Sequence, residues 1–136
     1  MPATTRAVVD ASCVLRAVLD EAEDALEWLD RIEREDVEGF APDLLYAEVA
    51  QGLVGQVRSN RLTTDQAVDV LATVAGYPLA MTPARLLMAP ACAFAIGKGV
   101  TAYDGHYLVL ARAEDAVLVT ADRELAAAAT NSVLLG

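Results

Sequence analysis

Short apolar runs alternate along this chain with longer stretches in which apolar positions recur every three or four residues. The first have the length of buried strands, and the second have the period of amphipathic helices. Ala7-Val8-Val9 reads as a strand ending at Asp10, and residues 12–20 continue as a helix. Over about residues 23–34 a second helix sets Leu26, Trp28, Leu29 and Ile32 against Glu23, Asp24, Glu27, Asp30 and Glu33. Those acids form a solvated face, and Glu27 with Arg31 and Asp30 with Arg34 have the i,i+4 spacing of ion pairs. Gly39-Phe40-Ala41 reads as a short strand. Pro42 suits the first turn of a helix reaching about Val57, with Leu45, Val49 and Leu53 on one stripe and Tyr46 and Ala50 beside it. Thr63 and Gln66 form a capping box for a helix that Gly76 stops. Leu79-Ala80-Met81 reads as a third strand, and Thr82-Pro83 opens a helix that Pro90 is expected to kink or divide before Gly97 and Gly99 end it. Thr101 caps a helix through about Ala113, Val117-Leu118-Val119 is a strand, residues 123–129 a helix and Val133-Leu134-Leu135 a last strand. This alternation predicts an α/β fold in three layers, a short parallel sheet of four to five strands flanked by helices.

Composition narrows the class. A chain of 136 residues fits one domain, expected to span residues 1–136, with a single core. It is 55% hydrophobic with few aromatics, as a tightly packed interior of Ala, Val and Leu requires. No apolar run approaches the ~20 residues of a membrane span, and Met1-Pro2-Ala3-Thr4-Thr5-Arg6 lacks the apolar core of a signal peptide. A cytoplasmic protein without membrane association is expected. Cys13 and Cys92 match no metal spacing, so both are expected to be small buried side chains in a reducing compartment.

Charge pulls the other way from the chemistry that follows. The net charge is −10, whereas nucleic-acid binders are usually basic because Lys and Arg supply phosphate contacts. Bound divalent cations would reverse that field locally.

The candidate chemistry rests on Asp10, Glu48, Asp104 and Asp122. Ligands of a parallel sheet bind at the carboxyl ends of its strands. Asp10 follows the first strand directly, Asp122 follows a later one after two residues, and Asp104 opens a helix expected to pack near the same edge. Each has an ordinary reading as a helix cap, with Asp104 completing a box with Thr101. Glu48 has none. It lies mid-helix between Ala47 and Val49, with Leu44 one turn before and Gly52 one turn after. A carboxylate there is costly unless a proton, a cation or hydrogen bonds neutralise it, or unless its side reaches water.

Val8-Val9-Asp10-Ala11-Ser12, Pro42-Asp43-Leu44 leading to Glu48-Val49 and Leu53, Thr101-Ala102-Tyr103-Asp104, and Leu118-Val119-Thr120-Ala121-Asp122-Arg123 occur in one order over nearly the whole length. In that order and spacing the chain resembles the PIN-domain family, most closely the VapC-type toxin ribonucleases of toxin–antitoxin pairs. The resemblance implies a Rossmann-like sheet and places Asp10, Glu48, Asp104 and Asp122 as ligands of Mg²⁺ or Mn²⁺. It puts Ser12 and Thr120 where the family has hydroxyls that orient the carboxylates or a metal-bound water. It further implies an RNA substrate, a homodimer, and a cognate antitoxin that lays a helix and an extended tail into a groove, often presenting a basic residue to the acidic pocket.

Mg²⁺ prefers oxygen ligands and keeps several waters, so a few carboxylates hold it while leaving room for a phosphate. One ion or a pair about 4 Å apart would serve phosphodiester hydrolysis. No histidine is required, and His106, the only one, reads as a partly exposed or hydrogen-bonded structural residue. Arg16, Arg58, Arg61, Arg85 and Lys98 could steer a phosphate backbone, though scattered cations more often serve solubility. The competing reading is a non-catalytic PIN-like scaffold that binds protein or RNA and uses its acids as caps. A receiver domain is disfavoured, because Asp10-Ala11-Ser12 lacks paired aspartates and no Lys follows a late strand.

Overall fold

A computed structural model describes residues 4–136. Met1, Pro2 and Ala3, on which part of the signal-peptide reading rests, lie outside the described residues. The elements run β1 (Thr5–Val9), α1 (Ala11–Asp20), α2 (Glu23–Glu33), β2 (Val37–Pro42), α3 (Leu44–Arg58), α4 (Thr64–Ala75), β3 (Leu79–Thr82), α5 (Ala84–Lys98), α6 (Ala102–Ala113), β4 (Val117–Thr120), α7 (Arg123–Ala128) and β5 (Ser132–Leu134). The five strands form one parallel sheet in the order β3-β2-β1-β4-β5.

From β1 the chain steps outward through β2 to β3, then returns across the sheet to β4 and β5. Right-handed crossovers therefore place the helices of the two halves on opposite faces. The order reverses between β1 and β4, and that switch point is where an open parallel sheet leaves a crevice beyond its strand ends. Both central strands are apolar on both sides, with Val8, Val9, Leu118 and Val119 fully buried, as a sheet covered on both faces demands. No single helix among the described residues is long and apolar enough to cross a membrane.

Several local expectations are corrected. Pro42 ends β2 instead of opening α3, and the next residue, Asp43, donates its N–H to Thr82. Proline's missing donor is tolerable at a strand's end. Pro90 does not divide α5, which runs unbroken to Lys98 with Gly97 inside it and Gly99 at its cap, at φ +69°. Leu86, whose carbonyl loses its partner at Pro90, is exposed, so water can replace the bond. Neither helical pair of α2 forms: the Arg31 guanidinium lies over the Trp28 ring at 4.8 Å, and Arg34 pairs with Asp36 at 3.4 Å. Cys92 is exposed on the outer side of α5, whereas Cys13 is buried as expected. The Thr63–Gln66 capping box forms in both directions.

Glycine makes one close approach that positions the site. A Cβ on Gly105 would stand 2.5 Å from the Ala91 carbonyl oxygen, so α6 seats against α5 only because position 105 has no side chain. Backbone cannot yield as a flexible side chain can. Gly105→Ala is expected to destabilise the protein by about 1–3 kcal/mol, read as a lowered urea midpoint at unchanged slope. An unchanged midpoint would show that the helices have room to part.

Candidate functional site

The pairing of Val9 with Val119 sets Asp10, one residue past β1, level with Thr120 at the end of β4. Asp10 is 5% exposed. The Thr120 hydroxyl donates to Asp10 Oδ2 at 2.5 Å, the Ser12 hydroxyl to Oδ1 at 2.7 Å, and the Cys13 backbone N–H to Oδ1 at 3.0 Å. Each hydroxyl is held in turn, Ser12 Oγ accepting from the Ala121 N–H at 2.8 Å and Thr120 Oγ1 from the Asp122 N–H at 3.0 Å. A hydroxyl carries one proton, and both protons go to Asp10. The 3.2 Å approach of the two hydroxyl oxygens is thus a contact rather than a further bond. Three donors aimed at one carboxyl suit its ionised form, which only accepts. Asp10 also caps α1 through the Cys13 bond, so the two readings of this residue coincide.

Glu48 is half-buried, and a group invisible to the sequence pattern satisfies it. The Tyr107 hydroxyl donates to Glu48 Oε1 at 2.6 Å. Tyr107 is 2% exposed, and its oxygen also lies against the Ala11 backbone N–H. One phenol thereby ties α3 to the turn that follows β1. Tyr107 reads in sequence as one more apolar position of α6, and its distance from Glu48 along the chain left no signal for the pairing.

Asp104 is half-buried in the first turn of α6. Its N–H donates to Thr101 Oγ1 at 3.1 Å, and the reciprocal half of a capping box is not formed. Asp122 is exposed and caps α7, its Oδ1 accepting from Glu124 N–H at 2.9 Å and Leu125 N–H at 3.1 Å.

The acids act on one another electrostatically. Burial pushes the Asp10 carboxyl above its usual range against the pull of Thr120, Ser12 and Cys13, and the Asp122 charge pushes the same way. Glu48 is raised by burial, against the Tyr107 bond, and further by Asp10 and Asp104. Asp104 is raised by burial and then by Asp122, Asp10 and Glu124. Burial and neighbouring carboxylates thus bias Asp10, Glu48 and Asp104 toward protonation, with Asp122 among the charges that act on Asp10 and Asp104.

The Cys13 thiol, pushed up first by burial and then by Asp10, is no thiolate donor. Among the described residues no three Asp, Glu, His or Cys side chains are placed to grip a single ion. His106 is buried with Nδ1 2.6 Å from the Ala102 carbonyl oxygen, in keeping with a structural role. Of the cations singled out, Arg16 pairs with Asp24 at 3.6 Å, while Arg58, Arg61, Arg85 and Lys98 are exposed. Arg123, which carried no signal of its own, is exposed next to Asp122.

A five-stranded parallel sheet with acidic side chains past its switch point makes this an α/β domain. Residues 7–131 match the PIN domain, so the chain belongs to the PIN-domain family. Ribonuclease VapC3 of Pyrobaculum aerophilum is 33% identical over 121 residues, covering 88% of this chain and 91% of that protein. Among solved structures, PAE2754 of Pyrobaculum aerophilum aligns with a TM-score of 0.75 at 24% identity, over 95% of this chain and 90% of that one. VapBC2 of Rickettsia felis, solved bound to a DNA fragment from their promoter, aligns with a TM-score of 0.67 at 15% identity, over 96% and 98% of the two chains. These structural likenesses are likenesses of fold.

A carboxyl whose pKa is raised by folding binds its proton more tightly in the folded state. Its burden on stability is absent below the unfolded value of about 4 and grows as pH rises through the folded one. Asp104→Asn is accordingly expected to raise the melting temperature of the metal-free protein by a few degrees at neutral pH, and the gain should vanish below about pH 4. Parallel thermal melts of the two proteins across pH check this, and a gain that persisted in acid would show that charge is not its cause.

Proposed function

We propose that the chain is a Mg²⁺- or Mn²⁺-dependent endoribonuclease that hydrolyses RNA phosphodiester bonds and acts as the toxin of a VapBC-type toxin–antitoxin pair. The observation that carries the reading is the buried Asp10 carboxylate at the switch point, aimed by Ser12 and Thr120 and electrostatically coupled to Glu48, Asp104 and Asp122. The similarity to a ribonuclease over most of the chain supports it. The action we infer is cytoplasmic, where such an RNA substrate is met.

The donor set fits a hard cation. It is all oxygen, it lies where negative charge is concentrated, and Mg²⁺ is commonly held by one or two carboxylates with waters completing its shell. That mode of binding needs no three preformed protein ligands, in keeping with the absence of such a trio among the described residues. Asp10, Glu48, Asp104 and Asp122 would hold the metal, one or two of them directly and the others through its waters, and it would supply charge stabilisation and an activated water for in-line attack on a phosphate. Ser12 and Thr120 fix the direction in which Asp10 presents its free lone pairs. Tyr107 keeps Glu48 turned to the same edge.

Two apolar surfaces suit the two expected protein partners. The outer side of α5 exposes Leu86 at 58%, Met88 at 60% and Ile96 at 79%, a convex face of the kind that packs against its own copy across a two-fold axis. Between α3 and α4 a concave groove lined by Leu53, Val54, Val57, Val68 and Leu71 suits the apolar side of an antitoxin helix.

Asp10→Asn, Asp104→Asn or Asp122→Asn is expected to abolish cleavage of RNA by the purified, Mg²⁺-loaded protein without unfolding it. Ser12→Ala should cost about 10–100-fold, as loss of a residue supporting a ligand does. Mn²⁺ should raise the melting temperature of the wild-type protein and not of Asp10→Asn. Wild-type cleavage by Asp104→Asn, or no thermal response to metal, would leave the scaffold reading in its place. Light scattering should give a dimer for the wild type and a monomer for a variant carrying Met88→Glu with Ile96→Glu, and a double variant that stays dimeric would move the interface off α5.

A further inference from the structure

Tyr103, next to Asp104 in the first turn of α6, is 66% exposed and so keeps two-thirds of its surface in water. It lies four residues before Tyr107, so the two share one face of the helix. Tyr107 is buried along that face and donates its hydroxyl to Glu48. Tyr103 is one turn nearer the carboxyl edge of the sheet, beyond the point at which that face ceases to be covered. Position 105, which abuts Ala91 of α5, is on the other side of α6, so the ring does not belong to the apolar surface of α5.

Affinity for a polyanion is a particular difficulty here. Most cations of the chain are engaged elsewhere or lie on other elements: Arg6 with Glu38 and Glu114, Arg16 with Asp24, Arg31 on Trp28, Arg34 with Asp36 and Arg112 on Phe94. Arg58 ends α3, Arg61 lies in the loop beyond it, and Arg85 and Lys98 belong to α5. Only Arg123 adjoins one of the four acids in sequence. Counterion release at this edge therefore draws on few unpaired cations. Stacking of a base on an aromatic ring is indifferent to that field and works for every base, provided the base is unpaired.

We propose that Tyr103 is a base-stacking platform that holds an unpaired nucleotide beside the scissile phosphate and so biases the site toward single-stranded RNA. The proposal rests on the nuclease reading above for its substrate, and it assigns the ring a role in binding. An indole or a phenyl ring would serve in its place; an aliphatic or truncated side chain would not. A paired base is already stacked within its duplex and cannot use the platform.

The test compares wild type, Tyr103→Phe and Tyr103→Ala by fluorescence anisotropy of an end-labelled, unstructured oligoribonucleotide with Ca²⁺ present, and of the same sequence annealed to its complement. Cleavage of both with Mg²⁺ is followed in parallel. Tyr103→Ala should weaken single-strand binding by roughly ten- to a hundredfold and raise KM with kcat nearly unchanged, while duplex binding barely moves. Tyr103→Phe should stay close to wild type, and all three should melt at the same temperature, since the ring is exposed. Equal single-strand affinity of wild type and Tyr103→Ala overturns the proposal and leaves the ring to a protein partner. Equal losses in Phe and Ala overturn it in favour of the hydroxyl. If no variant cleaves RNA yet Tyr103→Ala still loses single-strand binding, stacking stands and the nuclease reading falls.

Discussion

One buried carboxylate at a sheet's reversal point organises this molecule. Asp10 follows β1, caps α1 and accepts from a hydroxyl of the neighbouring strand β4, so a single side chain ties two parallel strands to the helix that follows the first. Ser12 and Thr120 deliver their only protons to it, and each is pinned by a backbone N–H from the turn after β4. The result is a closed set of bonds in which no member can rotate without stranding another. Buried polar groups are tolerated only when so satisfied, and a network of this kind holds a carboxylate in one orientation more tightly than packing alone.

That orientation is maintained against the electrostatics of its surroundings. Asp10, Glu48 and Asp104 are each raised by burial first and then by neighbouring charge, from Asp122 on Asp10, from Asp10 and Asp104 on Glu48, and from Asp122 and Asp10 on Asp104. A fold under selection for stability alone would place an amide or an apolar group at one of these positions, since like charges in a poorly solvated crevice repel. The cluster instead is compensated from outside the acid set, by hydroxyls, a phenol and backbone N–H groups. Those donors lessen the cost without cancelling the charge, which leaves negative charge concentrated at the carboxyl edge of the sheet. Perturbed titration gathered at one crevice is the usual mark of a functional site.

Much of this was legible in the sequence because it rests on local rules. Apolar triplets stopping at Asp10 and shortly before Asp122 mark strand ends, and the Thr63–Gln66 box and the Gly99 cap mark helix ends. The anomaly at Glu48, an acid on an apolar helix, pointed beyond local structure, and the order of the motifs supplied the family. What escaped was settled by tertiary contact. Tyr107 satisfies Glu48 across 59 residues of separation, and no periodicity encodes that. Pro42 and Pro90 were read by their helix rules, but a strand end and an exposed carbonyl respectively remove the penalties on which those rules depend. Arg31 sits over an indole where a carboxylate was expected, because Trp28 lies one turn away on a half-buried side. Cys92 is exposed because α5 is apolar on the side that faces water as well as on the side that faces the core.

This last feature bears on how the chain works in company. A helix that is apolar nearly all round is ordinarily buried all round. In α5 the inner side rests on α6 through Ala91 and Gly105, while Leu86, Met88, Ala89, Ala93 and Ile96 remain outside. Pro90 is placed on that outer side, where its missing N–H leaves no donor for a neighbour to satisfy, and the small residues around it allow a close approach. Such a surface is stable in water only at a cost of ordering apolar hydration, and a second apolar face removes that cost without disturbing anything on the carboxyl edge. The acid crevice and the apolar helix are thus separable. Gly105 joins them, since it seats α6, and with it Asp104, against the element that presents the exposed face. An association at α5 would reach the crevice through that one close contact, and α6 is the part of the site whose position it would set.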